Sequence, residues 1–63
     1  MLNEIDTIKF TDVDTNDEAL AIVRYDEHVI ALGLSRKSDG DIEVVMKKED
    51  AEKLFNALAK ALR

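Results

Sequence analysis

The chain of 63 residues has no cysteine, no proline and no tryptophan. Without cysteine there is no disulfide staple and no thiolate ligand for a metal. Its single histidine, His28, makes a zinc site improbable as well. Glycine occurs only as Gly33 and Gly40, so no glycine-rich loop can cradle a phosphate. Phe10, Tyr25 and Phe55 are the only aromatics, a thin platform for stacking nucleic-acid bases. No run approaches the roughly 20 apolar residues that cross a bilayer. The opening residues Met1 to Asp6 lack the basic start and apolar stretch of a signal peptide. Positive charge is also short: the formal net charge is −5, which disfavours nonspecific binding to nucleic acid or anionic membranes. These absences lead to the expectation of a small acidic cytoplasmic protein with no cofactor, no bound metal and no membrane partner.

The length allows one domain, residues 1–63. A chain this short buries only about 60% of its unfolded surface, so it is marginal alone. With no staple available, idealised packing or self-association must support it.

Residues His28 to Met46 carry the strongest pattern. Asp39-Gly40 lies between two apolar runs, which reads as a β-hairpin. Ile30, Leu32 and Leu34 alternate along one strand, and Ile42, Val44 and Met46 along the next. A two-residue Asp-Gly turn would put those sets on opposite faces. A three-residue loop, Ser38-Asp39-Gly40, pairs Leu34 with Val44 and Leu32 with Met46, so all the large residues face one way. Gly40 then takes positive φ at a bulge, where a Cβ is costly.

Upstream, Ile5 to Val13 reads as an edge strand with Ile8 and Phe10 on one face and Lys9 blunting the edge. The Asp- and Asn-rich stretch from Asp12 to Glu18 marks a loop. Asp12, Asp14 and Asn16 copy the opening of a calcium loop, but Asp17 stands where glycine is needed and Val23 where the bidentate glutamate is needed. A solvated acidic turn is the expectation. Ala19 to Tyr25 reads as the second strand, and Asp26-Glu27 as a tight turn that pairs Val23 with Ile30 and Ala21 with Leu32, although Asp-Glu suits a primed two-residue turn poorly and leaves a different loop length open.

From Lys48 or Glu49 the period changes. Ala51, Leu54, Phe55, Leu58 and Leu62 fall at helical spacing. Glu49, Asp50 and Glu52 open this helix and Lys60 and Arg63 close it, which suits the helix dipole. Glu49 and Lys53 are placed for an i,i+4 pair. No good N-cap is visible. Isolated, such a helix is marginal, so its stripe needs the Ile30-Leu32-Leu34 face.

Leu20, Ile22, Val29, Ala31 and Val45 then gather on the other side of the sheet, beside Gly33. A sheet with one wet face should be polar there. The expectation is an interface, most simply a homodimer, at those five residues. The bland alternative is an N-terminal arm with Leu2 and Ile5 folding over them.

No catalytic constellation is visible. His28 lies beside Asp26 and Glu27 without an announced pocket, and Ser35 and Ser38 have no histidine near them in sequence and no elbow motif. Arg36-Lys37 and Lys47-Lys48 are two basic pairs at opposite ends of the hairpin. Asp12, Asp14, Asp17, Glu18, Asp26 and Glu27 cluster in two loops joined by the second strand, and are read as a solvated rim able to meet a basic protein.

The fold expected is α+β: a four-stranded antiparallel meander with one C-terminal helix packed on one face. This element order resembles, at the level of topology, the single-strand-binding transcriptional coactivator family, whose members pair through their helices and bind single strands on their sheets. No motif matches residue by residue, and fold analogy does not supply function. The leading expectation is a non-enzymatic, self-associating interaction or regulatory module. One alternative is an acidic inhibitor or nucleic-acid mimic that occupies a basic protein site. Another is a single-strand binder using Lys47, Lys48, Arg36 and Lys37.

Overall fold

The computed structural model describes residues 2–63. Among these, four strands, β1 (Asn3–Thr11), β2 (Glu18–Tyr25), β3 (Val29–Arg36) and β4 (Gly40–Lys47), are followed by the helix α1 (Lys48–Leu62). The strands form one antiparallel sheet in the order β1-β2-β3-β4. The architecture is therefore the α+β meander and terminal helix that the periodicities predict.

The strand faces follow the alternation, but the registers slip. Leu34 pairs with Ile42, Leu32 with Val44 and Ile30 with Met46. The loop is Lys37-Ser38-Asp39, one residue earlier than expected, between the paired Arg36 and Gly40. Asp39 donates its N–H to the Arg36 carbonyl at 3.3 Å, and Gly40 has φ 87°, the positive value its lack of a Cβ permits. Each partner moves by two residues, so every side chain keeps its face; an odd slip would have reversed them.

The β2–β3 connection differs in the same way. Tyr25 pairs with Ile30, Val23 with Leu32 and Ala21 with Leu34. The turn is thus wider than Asp26-Glu27. Asp26 explains it: its carboxylate accepts the N–H of His28 at 2.7 Å and of Val29 at 2.9 Å, while its own N–H reaches the Val29 carbonyl at 3.1 Å. An aspartate that bonds backbone N–H groups ahead of it replaces the glycine-dependent tight turn.

Strand β1 begins and ends two residues earlier than the Ile5–Val13 reading. It stops at Thr11 because Asp12 folds the next segment around its own side chain, accepting from the N–H of Asp14 at 2.9 Å and of Thr15 at 3.4 Å. Asn16 completes that loop at φ 63°, a conformation asparagine tolerates. Near the start of β1 the pairing shifts between Glu4 and Asp6, leaving Ile5 as the extra residue of a bulge on this edge strand.

Helix α1 follows β4 with no connecting loop. Its N-terminal residue is not capped by a side chain, and its first turn holds Glu49 and Asp50. Lys53 approaches Asp50 at 3.8 Å rather than the expected Glu49. The helix borders β3 and β4 and no other described strand.

Candidate functional site

Cross-strand pairing sorts the side chains of the sheet into two surfaces. One surface is built in rows. Ile8, Ala21, Leu34 and Ile42 form an apolar row across all four strands. On one side of it lie Phe10, Ala19, Arg36 and Gly40; on the other lie Asp6, Val23, Leu32 and Val44, followed by Ile30 and Met46. The small residues Ala19 and Ala21 leave β2 low between Phe10 and Ile8 on one side and Leu34 on the other. A shallow depression results, lined in part by Phe10, Ala19, Leu34 and Ile42.

Helix α1 starts at the Met46 end of these rows, where Ile30, Leu32 and Met46 are half-buried. Coverage ends there. Ile8, Phe10, Leu34 and Val44 are exposed, and Ile42 is 61% exposed. The helix stripe is equally bare: Phe55 is 67% exposed and Leu58 55% exposed, with Leu54 and Leu62 also open.

The opposite surface gathers Leu20, Ile22, Val29, Ala31 and Val45, as the alternation requires, but mixes them with Lys9, Arg24, Glu43 and Lys47. Arg24 and Glu43 form an ion pair that crosses β3 between Ala31 and Gly33. Ala31 is fully buried at 0% exposure, while Leu20, Ile22 and Val29 are half-buried and Val45 is 55% exposed. The five expected interface residues therefore share a face, but a charged pair divides it. Sequence spacing could not reveal that pair, because it joins residues on two non-adjacent strands.

The acidic residues are largely engaged within the chain. Arg36 donates to Asp12 at 3.1 Å and also pairs with Asp39, which ties the β1–β2 loop to the β3–β4 loop. The Asp14 N–H and then the Arg36 guanidinium hold the Asp12 carboxyl below its ordinary value of 3.8. The bond that Arg36 donates to Asp12, with the Asp39 charge beside it, raises Arg36 above its ordinary value. Ser38 bonds Asp17, and Lys37 lies 3.7 Å from Glu18. At the other end of β2, the His28 and Val29 N–H groups lower the Asp26 carboxyl. Asp12, Asp14, Asp17 and Glu18 thus sit at one end of β2, and Asp26 and Glu27 at the other. Among the described residues, no three His, Asp or Glu side chains are grouped to hold a metal ion.

His28 lies in the β2–β3 turn with its side chain exposed and 3.9 Å from an equally exposed Glu27. Asp26, which spacing offered as its partner, directs Oδ1 to backbone N–H groups instead. The basic residues Arg36 and Lys37 face acids of this chain, and Lys47 and Lys48 lie at the far end of the hairpin. No protein-family model, curated protein or solved structure matches this chain. No helix among the described residues is long and apolar enough to cross a membrane.

What the sequence reading missed is how little of the chain is covered. Ala19 and Ala31 are the buried hydrophobic residues, and among the described residues no large side chain is fully buried. The exposed surface is 5305 Å², whereas a folded monomer of 7.1 kDa is expected to expose about 4,100 Å². The radius of gyration is 12.7 Å, against about 10.6 Å for a compact chain of this length. Four strands at ~4.8 Å spacing make a sheet only about 14 Å wide. The overall extents are 35 × 32 × 15 Å, and among the described strands the helix borders β3 and β4 alone.

Proposed function

We propose that this protein is a non-enzymatic, self-associating interaction or regulatory module, and that its folded working form is a homo-oligomer, most simply a dimer. The observation that carries this reading is the surplus of surface. The chain exposes about 1,200 Å² more than a monomer of its mass should. A standard protein–protein interface buries about 800 Å² per partner, so the surplus is the size of one interface. Large apolar side chains stand exposed on both the sheet, at Ile42 and Val44, and the helix, at Phe55 and Leu58. Exposed apolar patches of this extent on a small domain mark surfaces that bind.

The chemistry of the side chains supports a role without catalysis. A general acid or base must be held within reach of a substrate group, whereas the His28 imidazole is exposed, 3.9 Å from an equally exposed Glu27. A basic protein is a weaker partner than a second copy, because Asp12, Asp17 and Glu18 already meet Arg36, Ser38 and Lys37. Single-stranded nucleic acid is weaker still, given the charge of −5 and three aromatics. The compartment we propose is the cytoplasm, where a chain without cysteine loses nothing to a reducing medium.

Sedimentation equilibrium or light scattering tests the reading. A mass of at least twice 7.1 kDa is expected at micromolar concentration. A clean monomer at high concentration, folded by circular dichroism, would reject it.

A further inference from the structure

We propose that the occupant of the bare sheet surface is the α1 stripe of a second copy, docked reciprocally in a two-fold dimer; this rests on the self-association argued above. Two surfaces of one chain are left open, and each is what the other lacks. The sheet offers a shallow depression over Ala19, lined by Phe10, Leu34 and Ile42 together with the Arg36, Asp12 and Asp39 ion pairs, at the end of β4 far from the helix origin. The helix offers a convex stripe in Phe55, Leu58 and Leu62. Large side chains on a helix pack best over small residues on a sheet, where backbones approach and no void remains.

The chain's own helix does not fill this depression. It is joined directly to Lys47, borders β3 and β4, and leaves β1 and β2 untouched. Its length of 15 residues, about 22 Å, suffices to run along an eight-residue strand of about 26 Å. An isologous pair places helix on sheet twice through one two-fold axis, so both open surfaces of both chains close together. The surplus of about 1,200 Å² per chain is enough for two such contacts within a standard to large interface. Pairing through the opposite face would leave both of these apolar surfaces wet.

The absence of native cysteine makes the test direct. Leu58→Cys in a tagged chain is refolded with untagged Ile42→Cys, and separately with untagged Val45→Cys, which lies on the other face of the same strand. A tagged–untagged disulfide is expected with Ile42→Cys and not with Val45→Cys above the level found in urea. A dimer that cross-links only as Leu58→Cys with itself, or as Val45→Cys with itself, overturns the helix-on-sheet arrangement and leaves self-association standing. A folded monomer overturns both. Leu58→Ala, a mild change, is expected to raise the dimer dissociation constant roughly 100-fold, since two half-exposed leucine side chains lose their cover per dimer. An unchanged constant would argue against the proposal even where the cysteine variants fold poorly.

Discussion

Dilution is the most direct test of the proposal that two copies share a core. If folding and association are one step, each tenfold dilution takes about 1.4 kcal/mol from the stability of the dimer. Two 63-residue chains together gain about 0.26 kcal/mol/K of entropy on unfolding, from an average of ~2.1 cal/mol/K per residue. The quotient is a fall in Tm of about 5 °C for every tenfold dilution, or about 10 °C between roughly 100 and 1 μM. The structural basis is the missing cover: among the described residues, Ala19 and Ala31 alone are buried apolar residues, which is far too little core for a chain to hold this sheet by itself. The assay is thermal circular dichroism at 222 nm with path length scaled to concentration, so that the optical signal stays constant. A Tm that holds within about 1 °C over that range would show that the chain is stable without a partner, and the reasoning from surplus surface would fail.

Further outcomes follow from single positions. Gly33→Ala is expected to stabilise by roughly 0.5–1 kcal/mol in urea titrations, because an added Cβ meets Ile22 and Glu43 at ordinary contact distances of 3.8 and 3.9 Å while the unfolded chain loses freedom. Gly40→Ala is expected to do the opposite, costing about 1–2 kcal/mol despite open space around it, because φ there is +87°. Acid should unfold the protein in a definite window. Asp12 and Asp26 have folded values lowered from 3.8, so their stabilisation is complete well above that pH and is lost as pH falls below it; Asp12→Asn and Asp26→Asn should each flatten this acid limb of the stability profile. The Arg24–Glu43 pair is about two-fifths exposed on both sides, so a double-mutant cycle should give less than about 1 kcal/mol of coupling, weakening with salt.

Much of the fold is legible in the residues because alternation and helical spacing are local properties. Ile30, Leu32 and Leu34 share a face with Ile42, Val44 and Met46 whatever the loop length, provided the slip is even. The change of period after Lys47 marks the helix without reference to any contact. Loop lengths were less legible. They turned on the side chains of Asp12 and Asp26, whose bonds to backbone N–H groups moved the end of β1 and widened the β2–β3 turn. Asn and Asp content indicates a loop, but not which donors a given carboxylate will capture.

The residues by themselves determined two apolar sheet surfaces, an amphipathic helix, an acidic balance and the lack of a disulfide staple. The tertiary arrangement alone decided which surface remains uncovered. Arg24 and Glu43 meet across β3 and divide one face, while the helix, joined without a loop to the end of β4, borders β3 and β4 and leaves Ile42 and Phe55 bare. The physical reason is that hydrophobic patterning sets which way a side chain points, whereas cover depends on where a distant element comes to rest.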